Sequence, residues 1–415
     1  MKKICFLGLF ILVMIVFAQN SVWAQPKSIK IGWSGPLTGP AAEVGAASRA
    51  ASILAMEEWN AKGGIHIAEA QKKLPVEIIF EDSQSKVEVG VSLGEKLLGR
   101  DKVNFLISDA FHSSISMAVM ELAPKYNIPI ICGGTSDEIS KKILSNPERY
   151  KFFWKDIFGS TSEAKGAFDL YQDLIGLKAF IPKTKTISVM GEDSDFSRAH
   201  AAATKENFEK IGWRYLGMEA VPMGHTDFYP QLNKMKNLSP DILLYSFASL
   251  SSGAAATRQF HEIGVKSSLF LIYLPNVPEF IPQTGKAAEY LLWLPLHMTS
   301  ERPGVPEFLE KISKRWPERK AMDDNHVWGY EHMNTVLDAI QRAGSLEPEK
   351  IVDALSKMDR KGLYGRYTFD VPMHTLRSGN EFIPMPAAQI VEGKSSVISP
   401  AYLAKKKYVP QPWTK

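Results

Sequence analysis

Cysteine is almost missing from this chain: among 415 residues there are 2, Cys5 and Cys132. Cys5 lies in an apolar leader, so Cys132 stands alone and no intrachain disulfide framework is available once the leader is gone. A surplus of one charge is missing too. Lysine and arginine number 49 against 45 aspartate and glutamate, and Lys2 and Lys3 belong to the leader. That leaves no polybasic footprint, and nucleic acid is excluded as a partner. After the leader no apolar run is long enough to cross a membrane. Low-complexity tracts and short-period repeats are also missing.

The usual marks of catalysis are absent as well. There is no G-x-S-x-G elbow, no Walker-type glycine loop, no G-x-G-x-x-G after a strand and no H-E-x-x-H. His261-Glu262 lacks a second histidine at zinc-binding spacing. His326 and His332, six apart on one helix, do not share a face. Cys132, at the end of a buried strand, reads as a small core hydrophobe. These gaps point to a chain that is not an enzyme and needs neither metal nor cofactor.

What is present starts with the leader itself. Lys2 and Lys3 precede an apolar run from Ile4 to Ala18, followed by Val22-Trp23-Ala24. That order is a basic region, an apolar core and a small-residue cleavage site, so residues 1–24 read as a secretory signal cut after Ala24. The mature chain is expected outside the cytoplasm, in the periplasm. At 45% hydrophobic and 23% charged residues it is ordinary globular material, and its length calls for two domains rather than one core.

The stretch Ile29-Lys30-Ile31-Gly32-Trp33 alternates apolar and small or polar residues, as a strand does. Ser34 to Pro40 gathers Gly, Pro, Ser and Thr into a turn. Residues 41–62 are Ala- and Glu-rich with Val44, Ala47, Ala51, Leu54 and Ala55 on one face, and Gly63-Gly64 supplies the stop. The strand–helix rhythm continues through strands at 76–82, 103–107, 129–132 and 150–154, with helices at 87–100 and 115–126. It restarts after residue 160 with strands at 186–190, 213–221, 241–247 and 269–274 and helices between them. Helices follow at 305–316, 325–343 and 348–358, then short strand signals at 366–370 and 387–391. Residues 404–415 are basic, Pro-bearing and expected as surface coil. The alternation means α/β architecture built from parallel βαβ units, repeated twice.

Ligands of open α/β sheets sit at the carboxyl ends of strands. Five loops there carry hydroxyls or glycine: Ser34 to Pro40, His112-Ser113-Ser114, Gly134-Thr135-Ser136, Asp193 to Phe196, and Phe247 to Ser252 with Ser249 in it. Each alone is an ordinary helix cap. Five at equivalent places in two lobes favour a cleft that binds a carboxylate or amide oxygen with hydroxyls and helix-initial N–H groups.

At these residues the chain resembles the type I periplasmic substrate-binding proteins of ABC importers, in their leucine/isoleucine/valine-binding branch. Gly35-Pro36-Leu37-Thr38-Gly39-Pro40-Ala41-Ala42 followed by Glu57-Glu58-Trp59-Asn60-Ala61-Lys62-Gly63-Gly64-Ile65 is close to that family's first signature. Glu81-Asp82-Ser83-Gln84 and Asn127-Ile128-Pro129-Ile130-Ile131 with Thr135-Ser136 resemble later strand ends. Thr226-Asp227-Phe228 and the helix up to Gly344 extend the likeness more weakly.

The resemblance implies two Rossmann-like lobes joined by three crossing segments, placed near residues 152–158, 273–278 and 361–367. The first lobe would be 25–155 plus 279–362, the second 156–278 plus 363–403, with 404–415 as a tail. It implies a monomeric binding protein that delivers its small ligand to a membrane permease, or a ligand-gated sensor of the same fold read by a receptor. It carries a carboxylate-holding role to Ser113 or Ser114, Gly134 and Thr135, and wall positions to Val44 and Phe196. His112, Ser249, Tyr273 and Asn276 complete the candidate lining. The family's acid for a ligand ammonium is not evident, since Leu271-Ile272-Tyr273-Leu274-Pro275-Asn276 has no carboxylate. The ligand is therefore expected among hydrophobic amino acids, aromatic or aliphatic carboxylates and amides, with Asp109, Asp193 and Asp195 as candidate replacements for the missing charge.

Overall fold

A computed structural model describes residues 26–109, 111–277, 279–295, 303–318 and 324–414. The leader, and with it the expected cut after Ala24, lies outside these residues, as does Pro278. Two sheets of mostly parallel strands carry the described chain, in the α/β arrangement expected.

The first sheet has eight strands with Ile29–Gly35 between Val76–Asp82 and Phe105–Ser108, both parallel to it. Residues two apart on a strand share one face, and here that face is packed in the core. Ile29, Ile31 and Trp33 are accordingly without exposure. The order then runs through Ile130–Cys132 and Phe153–Lys155. The second sheet has seven strands, with Ile242–Ser246 between Thr186–Glu192 and Ser268–Ile272.

Helix Ala42–Ala61 lies on the first sheet and pairs with helix Asp324–Ala343. Gly329 makes this pairing close: a Cβ there would stand 2.4 Å from the Ser48 carbonyl oxygen. Ser52 Oγ donates to Gly329 O at 3.2 Å, and Trp59 Nε1 to Asn334 Oδ1 at 2.9 Å. The helix ends as expected at Gly63 and Gly64, whose φ values of +89° and +83° suit only glycine.

Sheet membership moves two of the expected crossings. Leu292–Leu294 pairs parallel with Phe270–Ile272 and antiparallel with Ala388 and Gln389. The chain therefore stays in the second lobe through residue 294, rather than leaving it at 273–278. Gly365–Asp370 and Thr375–Leu376 belong to the first sheet, where Thr375 pairs with Lys155. The third crossing thus falls between Leu376 and Ala387, not at 361–367. Strands of two or three residues are too short for an alternation to show in the sequence. Strand Phe153–Lys155 belongs to the first sheet, and helix Ser160–Gly176 follows it.

The tail is mostly exposed coil, as expected, with a buried anchor near its end. Gln411 is fully buried and stitches the second lobe: Ser268 Oγ and Leu269 N donate to its Oε1, and its Nε2 donates to Leu269 O and Tyr290 O. Trp413 Nε1 donates to Ser267 O, and its ring meets His261 edge-on. Gln411 and Trp413 thus fix the tail to the second lobe.

Charges are buried at the first crossing. Lys155 donates to the Thr135 and Ser136 carbonyls at 3.2 and 3.3 Å, and burial pushes its ammonium down from the usual range against the pull of Asp137. Asp156 is pushed up by burial and faces His332 Nδ1 at 2.9 Å. On the surface of the first lobe, burial alone would raise Glu121. Hydrogen bonds from Lys142, Arg149 and Tyr150 outweigh it and hold the carboxyl at about 2. A depressed acid stabilises the fold above its ordinary pKa of 4.5 and loses that contribution as pH falls toward about 2. Glu121→Gln should flatten this part of the stability–pH curve in urea titrations. An unchanged acid limb would show that the cluster contributes nothing.

Candidate functional site

The loops expected to bind a ligand all lie at strand carboxyl ends, and the structure separates those that cap helices from those that do not. Ser136 Oγ accepts from Glu138 N at 3.3 Å, and Ser194 Oγ from Ser197 N at 3.2 Å, so both are N-caps. Thr38 Oγ1 donates to Asp82 at 2.6 Å, and Asp82 also accepts from Leu37 N, closing the glycine-rich first loop on itself. Gly45 seats that loop, since a Cβ there would meet Pro36 O at 1.8 Å.

Thr135 and Ser249 are different. Thr135 is 3% exposed and Ser249 1%, and neither hydroxyl has a hydrogen-bond partner among the described residues. A buried hydroxyl without a partner costs free energy unless something meets it. Asn276, in the short turn after strand Ser268–Ile272, leaves both ends of its buried side-chain amide unpartnered. His112 Nε2 is likewise buried and unpartnered. These groups come from both lobes.

Ser113 and Ser114 turn out to hold protein together. Ser113 Oγ accepts from Ser136 N at 3.1 Å, tying the two loops of the first lobe. Gly134 allows that approach, because a Cβ there would stand 2.8 Å from Ser113 Cα. Ser114 Oγ accepts from Asp195 N at 3.3 Å, a bond between lobes. Phe111 of the first lobe packs on Tyr273 of the second, with ring centroids 5.2 Å apart. Val44 lines a small cavity with Trp33, Phe111 and Trp328. Phe196 is half-buried and meets His200 edge-on at 4.5 Å.

Two of the positive-φ residues other than glycine lie in these loops, one in each lobe. Asp109 has φ +31°, and Tyr273 has φ +78° with ψ −55°, a tight turn that L-residues rarely adopt. Such outliers persist only where the surroundings hold them, and they gather at ligand sites.

The acids at these strand ends are engaged. Arg198 pairs with Asp193 and Asp195. Asp109 accepts from Ser83, Phe111 N and His112. Glu192, which sequence reasoning passed over, is fully buried and accepts from Ala248 N, Ser249 N and Gly224 N. It shapes the loop bearing Ser249. Its strand-end position was visible in the sequence, but its partners are backbone groups that no motif encodes.

Glu163, His200 and Ser246 stand in line: His200 Nε2 pairs with Glu163, and Nδ1 meets Ser246 Oγ at 3.0 Å. All three are without exposure, so this resembles a nucleophile–base–acid order only in sequence of contacts. Cys132 is equally sealed, and burial pushes its thiol up to about 11.

Residues 28–393 match the profile of a family described as periplasmic binding protein. A leucine-, isoleucine-, valine-, threonine- and alanine-binding protein of Pseudomonas aeruginosa is 23% identical, over 85% of this chain and 88% of that one. Among solved structures, a leucine binding protein from Thermotoga maritima superposes with a TM-score of 0.74 at 20% identity, covering 89% of this chain and 97% of that chain. A solute binding protein of an ABC transporter from R. palustris, solved with benzoate, gives 0.73 at 15% identity, with 89% and 95% covered.

Proposed function

Because the chain belongs to the periplasmic binding protein family, we propose that it captures a small organic carboxylate between its lobes and delivers it to an ABC importer. The head of the ligand meets the Thr135 hydroxyl, and the second lobe meets it with Ser249 and Asn276. Its body is aromatic or branched aliphatic, against Val44, Phe111, Phe196 and Tyr273. Relatives carry names for branched-chain amino acids, and one structural neighbour holds benzoate. The chain works outside the cytoplasm, as a monomer.

The observation that supports this reading is the contrast between the buried polar groups at the strand ends of the two lobes. The hydroxyls of Thr135 and Ser249 and the amide of Asn276 are buried without partners, whereas Asp109, Asp193, Asp195 and Glu192 already have theirs. An ammonium would enter a closing cleft without an anionic partner, which is costly. A carboxylate finds donors waiting.

Isothermal titration of the mature protein with benzoate, 4-hydroxybenzoate, 4-methylpentanoate and L-leucine tests it. One-to-one binding without turnover is expected, tighter for an acid lacking the amino group than for its amino-acid counterpart. Small-angle scattering should show compaction on binding as the lobes close, and no change at saturating ligand counts against closure. A strict requirement for the ammonium, or binding to none of these compounds, overturns the reading.

A further inference from the structure

Asp109 is a fully buried carboxylate that accepts only from donors. Ser83 Oγ donates to it at 2.9 Å, Phe111 N at 3.0 Å and His112 N at 2.7 Å. His112 Nδ1 lies 3.1 Å from the same carboxylate. A carboxylate has lone pairs and no hydrogen to give, so Nδ1 must be the protonated nitrogen. The strained φ of Asp109 and the bond from its own N–H to Ser34 Oγ at 3.3 Å hold this arrangement in place. The ring is thus fixed at one end, and its Nε2 is the end left over, buried and unpartnered beside the interlobe contact of Phe111.

We propose that His112, oriented by Asp109, is the residue that selects an anionic ligand head, with Nε2–H donating to a ligand oxygen while Nδ1–H donates to Asp109. This rests on the carboxylate-binding reading above. In the complex the imidazole lies between two carboxylates and carries a hydrogen on both nitrogens, the second taken from solvent. A charged donor of that kind is about twice as strong as a neutral one. A neutral amide head gains much less from it.

The other charges around this loop are committed elsewhere. Asp195 and Asp193 pair with Arg198, Glu192 is held by backbone N–H groups, and Lys155 lies behind the Thr135 loop on two carbonyls and Asp137. Asp109 is therefore the acid that acts on His112, and it is a positioning residue, reaching the ligand only through the ring.

The test pairs each acid with its amide: benzoate with benzamide, 4-hydroxybenzoate with 4-hydroxybenzamide, isoleucine with isoleucinamide. The parent protein should prefer the acid by about tenfold or more, and His112→Gln should bring that ratio close to one. Nitrogen-15 spectra of histidine-labelled parent protein with bound acid should show His112 protonated at both nitrogens. Asp109→Asn should lose that signature while the ring remains. If the parent binds an acid and His112→Gln keeps the full preference, this proposal falls and the function reading stands. If no compound of the panel binds, the function reading falls with it. Should His112→Gln fail to fold, the spectrum decides: a singly protonated ring in the acid complex overturns the proposal.

Discussion

Thr135→Val is expected to weaken binding of a small carboxylate by about ten- to hundredfold and to leave the melting temperature of the empty protein nearly unchanged. A hydrogen bond to a charged oxygen contributes about 1.5–3 kcal/mol. The hydroxyl it would remove has no partner in the described protein, so the fold loses little with it. Position 135 is held by its backbone instead: its carbonyl accepts from Ser160 N at 2.8 Å and from Lys155 Nζ. Valine keeps the volume, which separates the lost hydroxyl from a lost contact. Titration calorimetry and a thermal melt of the same preparation check both halves. Normal affinity, or a melt lowered by many degrees, would remove Thr135 from the site. Ser113→Ala should behave differently, since Ser113 Oγ ties the Thr135–Ser136 loop to its neighbour and its loss loosens two loops at once.

Glu331→Ala should cost stability more than any change at the cleft. Glu331 is buried, pairs with Arg360 Nη1 at 2.5 Å and accepts from Leu363 N at 2.6 Å. Arg360 also donates to Thr335 Oγ1 and the Glu331 carbonyl, and lies 4.2 Å over the Tyr367 ring. Removing one partner of a buried pair strands the other and costs about 3–5 kcal/mol. At about 2–4 °C per kcal/mol for a lobe of this size, the melt should fall on the order of 10 °C. The double change Glu331→Leu with Arg360→Met should recover much of the loss, because no charge is then left unpaired. The pair matters beyond its own lobe. It clamps the strands Asp359–Gly362 and Gly365–Asp370 to helix Asp324–Ala343, just before the chain crosses for the third time. Equal stability of Glu331→Ala and parent would show that the clamp is dispensable.

Much of this protein was already determined by local chemistry. The alternation at Ile29–Trp33, the glycine stop at 63–64 and the repeated strand–helix spacing lead to two α/β lobes, because strand and helix periods are properties of neighbouring residues. The hydroxyl-bearing loops were visible for the same reason: they sit where apolar periodicity breaks. The tertiary structure decided which of those hydroxyls are spent. Ser136, Ser194 and Ser113 look like Thr135 and Ser249 in sequence, yet the first three serve backbone groups and the last two do not. It also decided where the chain crosses, since Leu292–Leu294 and Thr375–Leu376 join sheets through partners about 20 to more than 200 residues away. The pairing of Asp109 with His112 spans three residues, but the burial and strain that give it meaning come from Ser34 and Ser83, on two other strand ends. Periodicity reports which face a residue occupies; only the packed sheets bring separate strand ends to one place and leave some polar atoms without a partner.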